Sequence, residues 1–103
     1  MPKGYWIGRV DVAELEAYKQ YVAANAKPFA AYGARFLVRG GQFESMEGQA
    51  RSRNVVIEFP SYQAALECYR SADYQDAMRH RAGPVAVADI LVIEGYDGPQ
   101  PSN

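Results

Sequence analysis

A chain of 103 residues is long enough for one hydrophobic core and too short for two. Hydrophobic residues make up 49% and charged residues 22%, which excludes a disordered polyelectrolyte. A formal net charge of -1 argues against gripping a nucleic-acid backbone or an anionic membrane surface.

The single cysteine, Cys68, can form neither an internal disulfide nor a thiolate metal cluster by itself, so a reducing, cytoplasmic setting is expected. The start, Met1 to Trp6, has no apolar signal core, and no run approaches the roughly 20 apolar residues of a membrane helix. The first predicted strand is Tyr5 to Val10. Asp11 then reads as an N-cap with Glu14 three residues on, a capping-box pattern. Leu15, Tyr18, Val22 and Phe29 form the apolar stripe of the helix that follows. Pro28 is expected to kink or restart its last turn, and Gly33 to end it in the left-handed region. A second strand spans Arg35 to Arg39 and is released by Gly40-Gly41. Glu44 to Arg53 is polar and reads as a loop. Strand three, Asn54 to Phe59, stops at Pro60, and Ser61 caps the next helix, which carries Tyr62, Ala65, Leu66 and Tyr69. That helix is expected to break near Ser71. Asp73 then caps a short helix with Tyr74, Ala77 and Met78, ended by Gly83-Pro84. The last strand is Ala88 to Glu94. Residues 1–96 form a single domain in this reading, and 97–103 a mobile Gly/Pro/Ser tail.

The order βαβ–βαβ predicts an α+β, ferredoxin-like sandwich: a four-stranded antiparallel sheet with its helices on one face. One strand parity carries Trp6, Val10, Phe36, Val38, Val55, Ile57, Phe59, Ile90 and Val92. The other carries Tyr5, Ile7, Leu37, Val56, Leu91 and Ile93, with Arg9, Arg39, Glu58 and Asp89 among them. Both parities are largely apolar, although a sheet covered on one side should alternate with polar residues. Two apolar faces and one helix layer predict a homodimer whose sheet faces pack together. The 8 Tyr, set against a single Trp and a single His, suit half-polar interior surfaces such as a cavity or an interface.

Tyr5-Trp6, the helix with Tyr18 and Tyr21, and the run Gly33 to Gly41 resemble the bacterial domain-of-unknown-function 1330 family. So do Val56 to Ser61, Ala64-Ala65, Tyr69, Ser71, Tyr74-Gln75, Arg81 and Asp89 to Gly95. The resemblance runs from about Tyr5 to Gly95 and implies a dimeric α+β barrel of unestablished activity. Fold relatives in that superfamily include cofactor-independent monooxygenases, isomerases and haem proteins. In many of them a pocket lies between the sheet and its own helices, which here implies ligand contacts from Tyr18, Tyr69 and Tyr74.

Each polar candidate has a functional and a structural reading. His80, in Arg79-His80-Arg81, is a general base or haem ligand, or else a solvated helix-end residue. Arg39 and Arg81 match the family pattern and can clamp a carboxylate, or else pair internally with Glu58 or Asp89. Glu58 and Asp89 lie among apolar neighbours, where desolvation makes a carboxyl a proton carrier. Cys68 reads as a small buried thiol. An RNA-recognition reading of the βαββαβ order fails, because Asn54 and Val56 stand where base-stacking aromatics are needed. No metal cluster, phosphate loop or Ser–His–Asp signature is present. Two functions follow: a small enzyme without a tightly bound cofactor, acting on an anionic, partly aromatic molecule, or a non-catalytic binding or structural dimer. In the second, Arg39, Arg81, Glu58 and Asp89 satisfy one another.

Overall fold

The computed structural model describes residues 2–102. Met1 and the last residue of the expected tail, Asn103, lie outside them. The elements run β1 (Gly4–Val12), α1 (Leu15–Ala31), β2 (Arg35–Arg39), β3 (Arg53–Phe59), α2 (Tyr62–Arg70), α3 (Ala72–Met78), a 3-10 turn (Arg79–Arg81) and β4 (Ala86–Glu94). The four strands form one sheet in the order β2-β3-β1-β4, and the pairs β1–β3, β1–β4 and β2–β3 are all antiparallel. This is the ferredoxin-like arrangement. The helices cover the face that carries Trp6, Val10, Ile57 and Phe59, and leave the other open.

Trp6 occupies the centre of the core. Its ring meets Phe29, Phe59, Tyr69 and Tyr74 at centroid distances of 5.2, 5.4, 5.6 and 4.9 Å. Burial of so large a ring requires a partner for its N–H, and Nε1 donates to the Ala65 carbonyl at 2.8 Å. Cys68 is fully buried, and its Sγ donates to the Pro28 carbonyl at 3.7 Å. Burial pushes that thiol up to about 12.

Two local capping expectations give way to other contacts. Asp11 caps no helix: β1 continues to Val12 opposite Ala86, and α1 starts at Leu15, with Glu14 at the N-cap position making no side-chain bond. The Asp11 carboxylate accepts instead from the Ser52 backbone N–H and from Arg51, both at 2.8 Å. Pro28 lies inside α1, which runs on through it to Ala31, so the last turn is kept. Ser71, not Asp73, caps α3, its hydroxyl accepting from the Tyr74 N–H at 3.2 Å while donating to the Cys68 carbonyl at 2.7 Å. A hydroxyl can serve both helix ends at once, which an ionised carboxylate cannot. Gly33 does close α1, at φ 74°, with Ala34 N–H bonded to Phe29 O and Gly33 N–H to Ala30 O.

The decisive irregularity is in β2. Phe36 stands opposite Ile57, but Val38 stands opposite Val56, so Leu37 is an extra residue in a β-bulge. Beyond it the side-chain parity reverses. Val38, grouped by alternation with Trp6 and Phe36, is sent to the open face with Val56. Arg39, grouped with Glu58 and Asp89, comes to the covered face with Val55.

Candidate functional site

Between the sheet and α1 lies a cavity of about 40 Å³. Its floor is Trp6, Gly8, Val10, Val55, Ile57 and Ile90, all on the covered face. Its roof is α1, where Tyr18, Tyr21, Val22, Asn25 and Phe29 recur at helical spacing. Tyr18 and Tyr21 are 6% and 7% exposed, and Asn25, at 5%, is a polar amide inside an otherwise apolar stripe. Gly8 adds no side chain to the floor; a Cβ there would make only ordinary contact with Ile90, at 3.7 Å.

Arg39 and Arg53 bring positive charge to this cavity. The Arg39 guanidinium stacks on Phe36 at 4.0 Å, held there by the bulge. Arg53 opens β3 opposite Val10, and its guanidinium lies 5.9 Å from the Tyr18 ring centroid. It crosses directly over Gly40, where φ is +67° and a Cβ would stand 2.6 Å from Arg53 Nη1. Glycine at 40 therefore provides both the left-handed turn that ends β2 and the space the guanidinium uses.

Behind the cavity wall is a second cationic group. Arg81 lies 5.2 Å from the Tyr21 ring centroid and donates to the Tyr74 hydroxyl at 3.1 Å. The Tyr74 and Tyr21 hydroxyls are 2.8 Å apart, and Tyr74 has no exposed surface. That burial, chiefly, raises the Tyr74 phenol far above its ordinary range, so it stays protonated. Nε of Arg53 and of Arg81 are buried without a hydrogen-bond partner. Among the described residues, the ion pairs join Lys19–Glu16, Lys27–Asp73, Arg51–Asp11, Arg51–Asp89 and Arg79–Asp76. Among the described residues no carboxylate pairs with Arg39, Arg53 or Arg81.

The internal pairing expected of Arg39 or Arg81 with Glu58 or Asp89 is thus replaced by another arrangement. Asp89 takes Arg51 Nε at 2.7 Å. Glu58 accepts from the Tyr5 hydroxyl at 3.2 Å. Both carboxylates project from the open face, while the bulge carries Arg39 to the opposite one, so the sheet itself separates them. His80 is exposed in the 3-10 turn and does not border the cavity. Of the tyrosines, Tyr18 lines the cavity, Tyr74 stands one hydroxyl behind it, and Tyr69 packs on Trp6 with its hydroxyl directed at Met78 Sδ, 3.5 Å away.

Arg53 and Asn25 are cavity residues that sequence reasoning missed. Arg53 sits two residues before Val55 and so shares its face, a signal hidden when strand three is started one residue too late. Asn25 falls seven residues after Tyr18 and four before Phe29, on the stripe that includes both. Among the described residues no three His, Cys, Asp or Glu gather to hold a metal, and no helix is long and apolar enough to cross a membrane.

Solved structures share this fold. A protein of unknown function from Rhodopseudomonas palustris superposes with a TM-score of 0.71 at 19% identity, covering 94% of this chain and 85% of that one. SnoaB, a cofactor-independent oxygenase from Streptomyces nogalater, gives 0.61 at 12% identity, with 98% and 97% covered. A dimeric ferredoxin-like protein of unknown function from Thermobifida fusca gives 0.56 at 15% identity, with 89% and 92% covered. These likenesses establish architecture, since function resides in sites rather than folds. No curated protein matches the chain. The model of the domain of unknown function DUF1330 matches residues 3–96, nearly the whole of the sandwich, and the chain belongs to that family.

Proposed function

We propose that this protein is a cytoplasmic, homodimeric enzyme that acts without a tightly bound cofactor on a small anionic, partly aromatic organic molecule held between the sheet and α1. The observation that carries the proposal is the set of arginines at and behind the cavity, Arg39, Arg53 and Arg81, which no carboxylate neutralises. Arg39 is exposed at the rim, but Arg53 and Arg81 are half-buried, each with an unpartnered buried Nε; a structural core pairs such charges, whereas a binding site leaves them for the ligand. Tyr18 and Phe36 supply aromatic walls, and Asn25 a polar contact. The oxygenase-like fold supports an enzymatic reading by analogy. Glu58 and Asp89 lie on the face assigned to the second protomer and His80 at the surface, so in this proposal the chemistry belongs to the cavity tyrosines and arginines.

Sheet-to-sheet pairing is supported by the open face, where Ile7, Leu37, Val38, Val87, Leu91 and Ile93 are 37–56% exposed. At about 40 Å³ the cavity is far smaller than the roughly 300–1,000 Å³ of an occupied ligand site, so a substrate must displace the rim. Arg39 and Arg53 border the cavity, and the connection 40–52 that joins them is exposed along nearly all its length and has no regular structure. Native mass spectrometry of the wild type and Arg39→Ala tests both halves of the proposal. The wild type is expected as a dimer that retains an organic anion or takes up benzoate. Arg39→Ala is expected to lose that mass and keep its Tm, because no buried carboxylate is stranded. A monomer that binds no anion sinks the proposal, and a lowered Tm with unchanged binding makes Arg39 structural.

A further inference from the structure

The hydrogen-bond chain behind the cavity has a direction. An arginine can only donate, so the Tyr74 oxygen accepts from Arg81 Nη2 at 3.1 Å. Tyr74 is wholly buried, and among the described residues the one other hydrogen-bond partner of its hydroxyl is Tyr21 Oη, at 2.8 Å. Its proton must therefore go to Tyr21, since a buried hydroxyl with an unused proton bears its full desolvation cost. Tyr21 is left as the acceptor of that bond, with its own proton free. Tyr21 lines the cavity. A chain of aligned donors that begins at a cation polarises each hydroxyl in turn.

We infer that Tyr21 offers its hydroxyl proton to the cavity as a polarised donor, driven by Arg81 through Tyr74, and that the ligand presents there a planar oxyanion. The second donor to that oxyanion is Arg53, which borders the same cavity, lies over the Tyr18 ring beside Tyr21 and has a buried Nε without a partner. A neutral phenol and a guanidinium that converge on one oxygen favour charge on it, as an oxyanion hole does. The ligand class is then narrower than an organic anion: a conjugated phenolate, enolate or carboxylate whose charge is spread over a flat frame, with the aromatic wall against its ring. Tyr21 is the contacting group. Tyr74 and Arg81 are positioning residues. The inference rests on the proposed site and adds its polarity.

The probe is para-nitrophenol, whose absorbance distinguishes the bound phenolate from the bound phenol across a pH titration. The groups that face it are Tyr18, Tyr21, Arg39 and Arg53, with Tyr74 and Arg81 behind. Wild type is expected to bind the phenolate in preference and to lower the probe's apparent pKa. Tyr21→Phe, with the fold checked by circular dichroism, is expected to weaken phenolate binding about tenfold, the worth of one hydrogen bond to a charge, and to abolish most of the shift. Tyr74→Phe leaves the Tyr21 hydroxyl in place but cuts its supply, and is expected to reduce the shift without abolishing it. Tyr69→Phe, whose lost hydroxyl faces Met78 Sδ rather than the cavity, is expected to leave the shift unchanged. A shift that survives Tyr21→Phe but vanishes in Arg53→Ala overturns the relay and leaves the anion site standing. Wild type that binds neither para-nitrophenol nor benzoate overturns both. An equal loss in Tyr69→Phe and Tyr21→Phe overturns the relay, because the shift then follows the loss of any phenol in the core rather than the one at the cavity.

Discussion

The two faces of the sheet are both largely apolar, yet they treat charge in opposite ways. On the open face charged side chains are matched: Arg51 bridges Asp11 and Asp89, Arg9 donates to the Gln49 carbonyl, Glu58 takes the Tyr5 hydroxyl, and Arg35 stands opposite Glu58 in register. On the covered face Arg39 and Arg53 border a cavity with no carboxylate in reach. A neutralised apolar face suits contact with a second protein surface, because little charge has to be desolvated on docking. A face with unmatched cations suits an anion small enough to enter. Under the proposed function the same sheet separates assembly from chemistry, and the bulge at Leu37 allows that separation by moving one arginine across it.

The contrast is open to attack in order of effect. Trp6→Ala on the covered face removes a ring that touches four aromatic neighbours and should lower the unfolding free energy by about 3–5 kcal/mol. A chemical-denaturation midpoint measures it. A cost as small as that of Leu91→Ala on the open face would mean that the two faces are packed alike. Leu91→Arg, at a position 51% exposed, should instead leave each subunit folded and weaken self-association by about a hundredfold, read by sedimentation velocity. An unchanged sedimentation coefficient would remove the open face as the interface.

The smallest effect concerns pH. The Ser52 N–H, with Arg51, holds the Asp11 carboxyl below its ordinary value. A depressed native pKa stabilises the fold above the unfolded value, and that contribution disappears as pH falls through the native one. Asp11→Asn should therefore flatten the acid side of the Tm-against-pH curve and leave the neutral plateau only slightly lower. Parallel curves for the two proteins would show that the open-face charges are matched in geometry but not in energy.

The βαββαβ order, the helix-ending Gly33, the break at Ser71 and the apolar character of both sheet faces are legible in the chain, because each depends on neighbours within one or two turns. Periodicity and capping chemistry are local, and so they survive reading one residue after another. The site was legible only in fragments. Tyr18 and Arg39 could be named, but not the face to which Arg39 belongs, since a one-residue bulge inverts everything after it and depends on how β2 docks on β3. Arg51, placed in a polar loop, proved to be the partner that drew Asp11 away from a helix cap and Asp89 away from the arginines. The bond between Tyr21 and Tyr74 joins groups 53 residues apart, and nothing in their local sequence states which hydroxyl donates. Amino-acid order determined the elements and their amphipathicity. Only the packed structure decided which charges meet, because ion pairs and hydrogen-bond direction are set by distances across the fold rather than along the chain.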